Sequence, residues 1–182
     1  MATVAGRVEG LDETIQYLKQ FDKETLKGLN KELYGVMKGL VADARALAPE
    51  SSPMSGWATP SKYGAEWGTR LLYQPSKVRV GIRSKIGTVR HPNTYTTSRS
   101  YLLINANPAG AIYETAGRKT SGKGANGEGF INQIVKDSGI TVIGKQGRIV
   151  WKAVNENRAE VIAKMEAVIK RYEAWINRKL AA

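Results

Sequence analysis

The chain has no cysteine, which removes a disulfide framework, a thiolate zinc site and a cysteine nucleophile together and fits a reducing compartment. Histidine is nearly as scarce. The one copy, His91, stands beside Pro92 in a polar, Thr-rich stretch with no carboxylate or serine at motif spacing, so a surface loop residue is expected rather than a general base. Long apolar runs are missing too. No window approaches the roughly 18 apolar residues of a membrane span, and Met1–Gly10 lacks a basic stretch followed by an apolar run. A soluble, unsecreted protein without membrane contact is the expectation. Acid is scarce in one region: residues 51–152 hold 4 Asp/Glu against 15 Lys/Arg.

That regional shortage is the most informative feature present. Residues 1–50 carry 7 Lys/Arg against 8 Asp/Glu and residues 153–182 carry 6 against 4, so almost all of the formal +12 lies between two nearly neutral ends. A basic middle framed by balanced amphipathic segments points to a surface that meets something acidic, either nucleic acid or another protein. With 182 residues, 42% of them apolar, the chain can build a core as a single α+β domain.

The first fifty residues read as helix in two pieces. Asp12 can cap a short helix presenting Leu11, Ile15 and Leu18. Phe21 and Leu26 then flank Asp22 at the spacing of a hydrophobic staple around an N-cap. Downstream, Leu26, Leu29, Leu33, Val36, Met37, Leu40, Ala44 and Leu47 recur at three and four, and Pro49 stops the helix. Gly28, Gly35 and Gly39 each cost about 1 kcal/mol relative to Ala in an exposed helix interior, which close packing against another element can compensate.

Residues 51–76 form an irregular loop rich in Pro, Gly and aromatics, whose Trp57 and Trp67 are, with Trp151 and Trp175 further on, the candidate core or interface aromatics. Residues 77–152 are expected to supply a sheet of four or five mostly antiparallel strands. Lys77–Arg83 alternates, with Val78, Val80 and Ile82 on one side and Lys77, Arg79 and Arg83 on the other. Arg99–Asn105 and Gly110–Thr115 read as strands joined by a turn at Asn107-Pro108. Gly139–Ile143 and Arg148–Trp151 read as a further hairpin. A long helix opening near Asn155 closes the chain, with a stripe of Ile162, Met165, Ile169, Tyr172, Ile176 and Leu180 flanked by Val161, Val168 and Trp175. It would run roughly 39 Å.

Catalytic, cofactor and metal residues are not expected. Gly117-Arg-Lys-Thr-Ser-Gly-Lys-Gly124 nearly spells a phosphate-binding P-loop, but Gly124 stands where Ser or Thr must hold magnesium. The Ala-Asn-Gly-Glu-Gly that follows resists helix, so residues 116–130 read as a mobile Gly-rich loop carrying Arg118, Lys119 and Lys123 that orders on assembly. Glu114 is the lone carboxylate of its segment, without the second acid of a glycosidase or metal site, and reads as a structural ion pair.

Three segments appear in a familiar order: Ala44-Arg45-Ala-Leu-Ala48-Pro49 ending a helix, Ala109-Gly-Ala-Ile-Tyr113-Glu114-Thr-Ala-Gly117, and Ile149-Val-Trp151-Lys-Ala153 leading into a long helix. The chain in this respect resembles the tail-completion or neck family of long-tailed, lambdoid-type bacteriophages, whose members join head to tail. It departs from that pattern where Thr115-Ala116-Gly117 replaces a Gly-Thr ending and Lys152 replaces a proline.

The resemblance implies a structural virion protein without enzymatic activity, made in the host cytoplasm and placed in the virion neck or tail. It would form a ring, commonly a homohexamer, between head connector and tail tube around the double-stranded DNA path. Six copies at +12 each would carry +72, and a lumen lined with that charge would grip DNA, each neutralised phosphate adding about 0.9 to the log-log salt slope. Most of Lys77, Arg79, Arg83, Arg118, Lys119 and Lys123 are therefore expected to face acidic surfaces of neighbouring neck, tail-terminator or tail-tube proteins, and only a few to reach DNA. The alternative is a stand-alone basic nucleic-acid-binding protein using the same cations with Tyr95, Arg99 and Tyr101.

Overall fold

A computed structural model describes residues 2–5, 11–58, 71–91, 96–116, 125–139 and 147–181. Among them helix dominates: α1 (Leu11–Phe21), α2 (Lys23–Ala46), α3 (Pro75–Gly81), α4 (Pro108–Thr115), α5 (Ala125–Ser138) and α6 (Val150–Leu180), with a 3-10 turn at Ser55–Trp57. The strands β1 (Ala2–Ala5), β2 (Ile82–His91) and β3 (Thr96–Asn105) lie in the order β1-β3-β2, so the long β2–β3 hairpin forms nearly the whole sheet. The expected sheet of four or five strands is therefore wrong. No helix among the described residues is long and apolar enough to cross a membrane.

The N-terminal helices follow their sequence signals. Asp22 ends α1 through its backbone N–H to the Leu18 carbonyl (2.9 Å) and opens α2, where its carboxylate accepts from the Thr25 N–H (2.9 Å) and Thr25 hydroxyl (2.7 Å). These bonds hold the Asp22 carboxyl below its ordinary pKa. The staple at Phe21 and the cap at Asp12 concern side chains outside the described residues. Leu29, Leu33, Met37, Leu40 and Ala44 are buried along α2, and the helix ends at Ala46, ahead of Pro49.

Each misread strand has a local cause. In Lys77–Arg83 the alternation is real in sequence, but Pro75 starts a helix, being pre-set for its first turn, and Gln74 supplies the extended residue before it. On a helix Val78 and Val80 lie about 200° apart. Val78 is accordingly buried while Val80 is 73% exposed, and only at Ile82, fully buried, does strand begin. In residues 106–115 the supposed turn is a helix start: Asn107 accepts from the Gly110 N–H (2.9 Å) with Pro108 in the first turn, so Gly110–Thr115 belongs to α4. Gly139 does not open a strand but closes α5, with φ of 64° and its N–H on the Val135 carbonyl (2.8 Å). Residues 140–146 lie outside the described residues. Arg148–Trp151 is no strand either, because α6 begins at Val150, five residues before the expected Asn155. The Gly-rich segment expected as loop over 116–130 is helical from Ala125, where Ile134 further along α5 is fully buried and anchors it; residues 117–124 lie outside the described residues.

The chain forms two compact units, one of Met1–Val4, Val41–Arg83 and Leu103–Glu156, the other of Ala5–Leu40, Ser84–Leu102 and Asn157–Ala182. In the first, Tyr73, Val78, Ile82, Leu103, Ile134 and Ile149 are almost fully buried. In the second, the pairs Glu32 with Arg171, Gly28 with Tyr172, and Asp22 with the field of Lys179 show α2 and α6 running antiparallel. The Tyr172 hydroxyl lies where a Cβ on Gly28 would be 2.9 Å away, so this glycine permits a close approach; Gly35 and Gly39 face open space.

Candidate functional site

The first unit contains a buried polar clip that the sequence only half discloses. Helix α6 lacks a local cap, since Arg148 and Ile149 precede it where Ser, Thr, Asp or Asn would serve. Glu114 supplies the cap from α4. Its carboxylate, fully buried, accepts from the backbone N–H groups of Ile149 (2.6 Å), Val150 (3.1 Å) and Trp151 (2.9 Å). These are donors that a helix start leaves without intrahelical partners, and a negative charge also suits the positive end of the helix dipole. Gly147 makes room: a Cβ there would sit 2.1 Å from Glu114 Oε1.

Arg148 completes the clip. It is 2% exposed, donates through Nη1 to the carbonyls of Tyr113 (2.7 Å) and Ala116 (2.9 Å), and donates through Nε to the Ser138 hydroxyl (3.1 Å). Its guanidinium carbon lies 5.7 Å from the Tyr113 ring centroid. Burial pushes the Arg148 pKa down, and Tyr113 and Glu114 oppose that shift. One arginine thus ties the end of α4, the end of α5 and the entry to α6 together. The expectation for Glu114, an ion pair on a strand, misses its element and these backbone partners.

The other residues singled out in the sequence sort between frame and surface. Arg45 donates through Nε to the Ile82 carbonyl (3.1 Å), Ala44 and Ala48 are buried, and the Pro49 carbonyl accepts from the Tyr73 hydroxyl (3.2 Å). Trp57 is half-buried, with its indole N–H on the Leu71 carbonyl (2.6 Å) and its ring 5.3 Å from both Tyr73 and Phe130. Trp151 is half-buried beside the clip. Among the cations, Arg79 is drawn inward, its Nη2 on the Ala48 carbonyl (3.4 Å) and the Glu50 carboxylate (3.3 Å). Lys77 and Arg83 are exposed and flank the exposed Val80 in the chain. Arg118, Lys119, Lys123, Gly117, Trp67 and Tyr95 lie outside the described residues, as do the side chains of His91 and Arg99.

Trp175 sits elsewhere, in the second unit. It helps line an open cleft of about 390 Å³ together with Thr25, Glu32, Arg171, Tyr172 and Arg178. The helical spacing puts Tyr172 in the apolar stripe and Trp175 on its flank, and does not disclose the cleft. The available signal was the run of cations Arg171, Arg178 and Lys179 among those stripe residues.

No group of three or more His, Cys, Asp or Glu among the described residues could hold a metal ion. Comparison with protein-family profiles, curated proteins and solved structures finds no match for this chain.

Proposed function

We propose that this chain is a structural protein of a phage neck or tail, a tail-completion subunit that assembles into a ring between head connector and tail tube around the DNA channel. The observation that carries the reading is the exposure of Lys77, Val80 and Arg83 within one short stretch of the basic middle. Two exposed cations close together in the chain suit an acidic neighbour, which would cover the exposed Val80 between them. Arg79, paired within the chain, is removed from the contact set proposed from sequence. The segments that carry the phage resemblance fit a scaffold role: Arg45, Pro49 and Glu114 all hold backbone in place.

The test is assembly. The purified chain mixed with the connector and tail-tube proteins of its own phage is expected to give rings in electron micrographs, and its peptides are expected in purified virions. The double variant Lys77→Glu/Arg83→Glu should abolish rings without moving the melting temperature. Absence from virions, or tight salt-sensitive binding of double-stranded DNA by the monomer, overturns the proposal in favour of the stand-alone nucleic-acid reading.

A further inference from the structure

The cleft in the second unit combines fixed walls with open polar groups. Two of its walls are fixed: Arg171 pairs with Glu32, and the Tyr172 hydroxyl donates to the same carboxylate (3.1 Å), made possible by the missing side chain at Gly28. Glu32 is therefore already occupied. Trp175 presents a half-buried indole, with the Lys179 ammonium 5.9 Å from its ring centroid. Arg178 is anchored by its Nε on the Ala174 carbonyl (3.3 Å), and no carboxylate among the described residues pairs with it. The cleft thus joins an aromatic face to a cation whose Nη groups are left for an outside acceptor.

We infer that this cleft binds an acidic peptide segment of a partner protein, one carboxylate on Arg178 and a neighbouring apolar side chain on Trp175. Charge complementarity selects the class. Arg178 and Lys179 draw one or two negative charges but, with Arg171 already taken by Glu32, offer too few cations to follow a chain with a phosphate at every step. An indole flanked by cations contributes area as well as charge, and aromatic and arginine side chains dominate protein interfaces. The site shares no residue with the Lys77 and Arg83 contact, so it stands whether or not the ring reading holds.

The test uses the whole chain and a blocked tetrapeptide of alternating leucine and glutamate, followed through the tryptophan indole N–H resonances by NMR. Trp175→Phe identifies the Trp175 signal. That signal is expected to move saturably with the peptide, and at least tenfold more peptide should be needed after Arg178→Ala, a surface change that leaves the melting temperature alone. The matched leucine–glutamine peptide should likewise bind at least tenfold more weakly. An unmoved Trp175 resonance, equal binding of the glutamine peptide, or no effect of Arg178→Ala overturns the inference. Tighter binding of a single-stranded DNA oligonucleotide of equal charge also overturns it, and transfers the cleft to the nucleic-acid class. None of these outcomes depends on ring formation.

Discussion

At the scale of single residues, Glu114 does the work that a helix normally assigns to the residue just before it. Glu114→Ala leaves three amides without their acceptor in a buried place, and a cost of about 3 kcal/mol or more is expected in chemical denaturation. Gly147→Ala should be nearly as damaging, because its methyl would occupy the space of Glu114 Oε1. In the double variant the clash with the carboxylate is gone and only the Trp151 ring edge, 2.9 Å from the added Cβ, must shift, so the pair should cost clearly less than the separate losses combined. Tyr172 gives a second test. Burial, then its hydrogen bond to Glu32, raises its phenol above the ordinary value of 10.0, against a smaller opposing pull from Arg171. A raised value means that the folded chain favours the neutral phenol. Its contribution is complete below the unfolded pKa and is lost as pH climbs through the folded one. Unfolding midpoints should therefore fall above pH 10.0, and Tyr172→Phe should flatten that fall.

At the scale of elements, the helices α1 and α2 were legible because periodicity, cap and stop agree at Asp22 and Pro49. The sheet was overcounted because three short segments carry signals that serve two structures. Pro75 and Asn107-Pro108 open helices as readily as they make turns, and the choice is settled by what Val78 and Ala109 can bury against. Helix α5 was missed because Gly127 and Gly129 lower its propensity, while tertiary burial of Ile134 decides the outcome. The clip was legible only as a lone acid, since its partners lie 35 to 37 residues away. Glycines in α2 separate packing from tolerance. Gly39→Ala faces open space and should stabilise by about 0.5–1 kcal/mol through helix propensity alone. Gly28→Ala should show no such gain, because its methyl meets the Tyr172 hydroxyl, and removing that hydroxyl should restore it; thermal denaturation of the set checks both.

At the scale of the whole molecule, charge is the variable to vary. If the proposed rings form through exposed cations on acidic neighbours, they should loosen as salt rises, since contacts of that kind are screened over about 10 Å at 0.1 M ionic strength. Sedimentation across a salt series checks this, and a salt-indifferent ring would assign the contact to apolar burial around Val80 instead.

The long-range cap also sets an order of events during synthesis. Glu114 is translated well before the amides of Ile149, Val150 and Trp151 exist. Until then water solvates the carboxylate, so the waiting costs little. The nascent chain can assemble the earlier helices, but the seal on its interior closes only when α6 begins to emerge, and a ribosome stalled before residue 149 would hold a chain whose Glu114 is still in water and whose interior is still open.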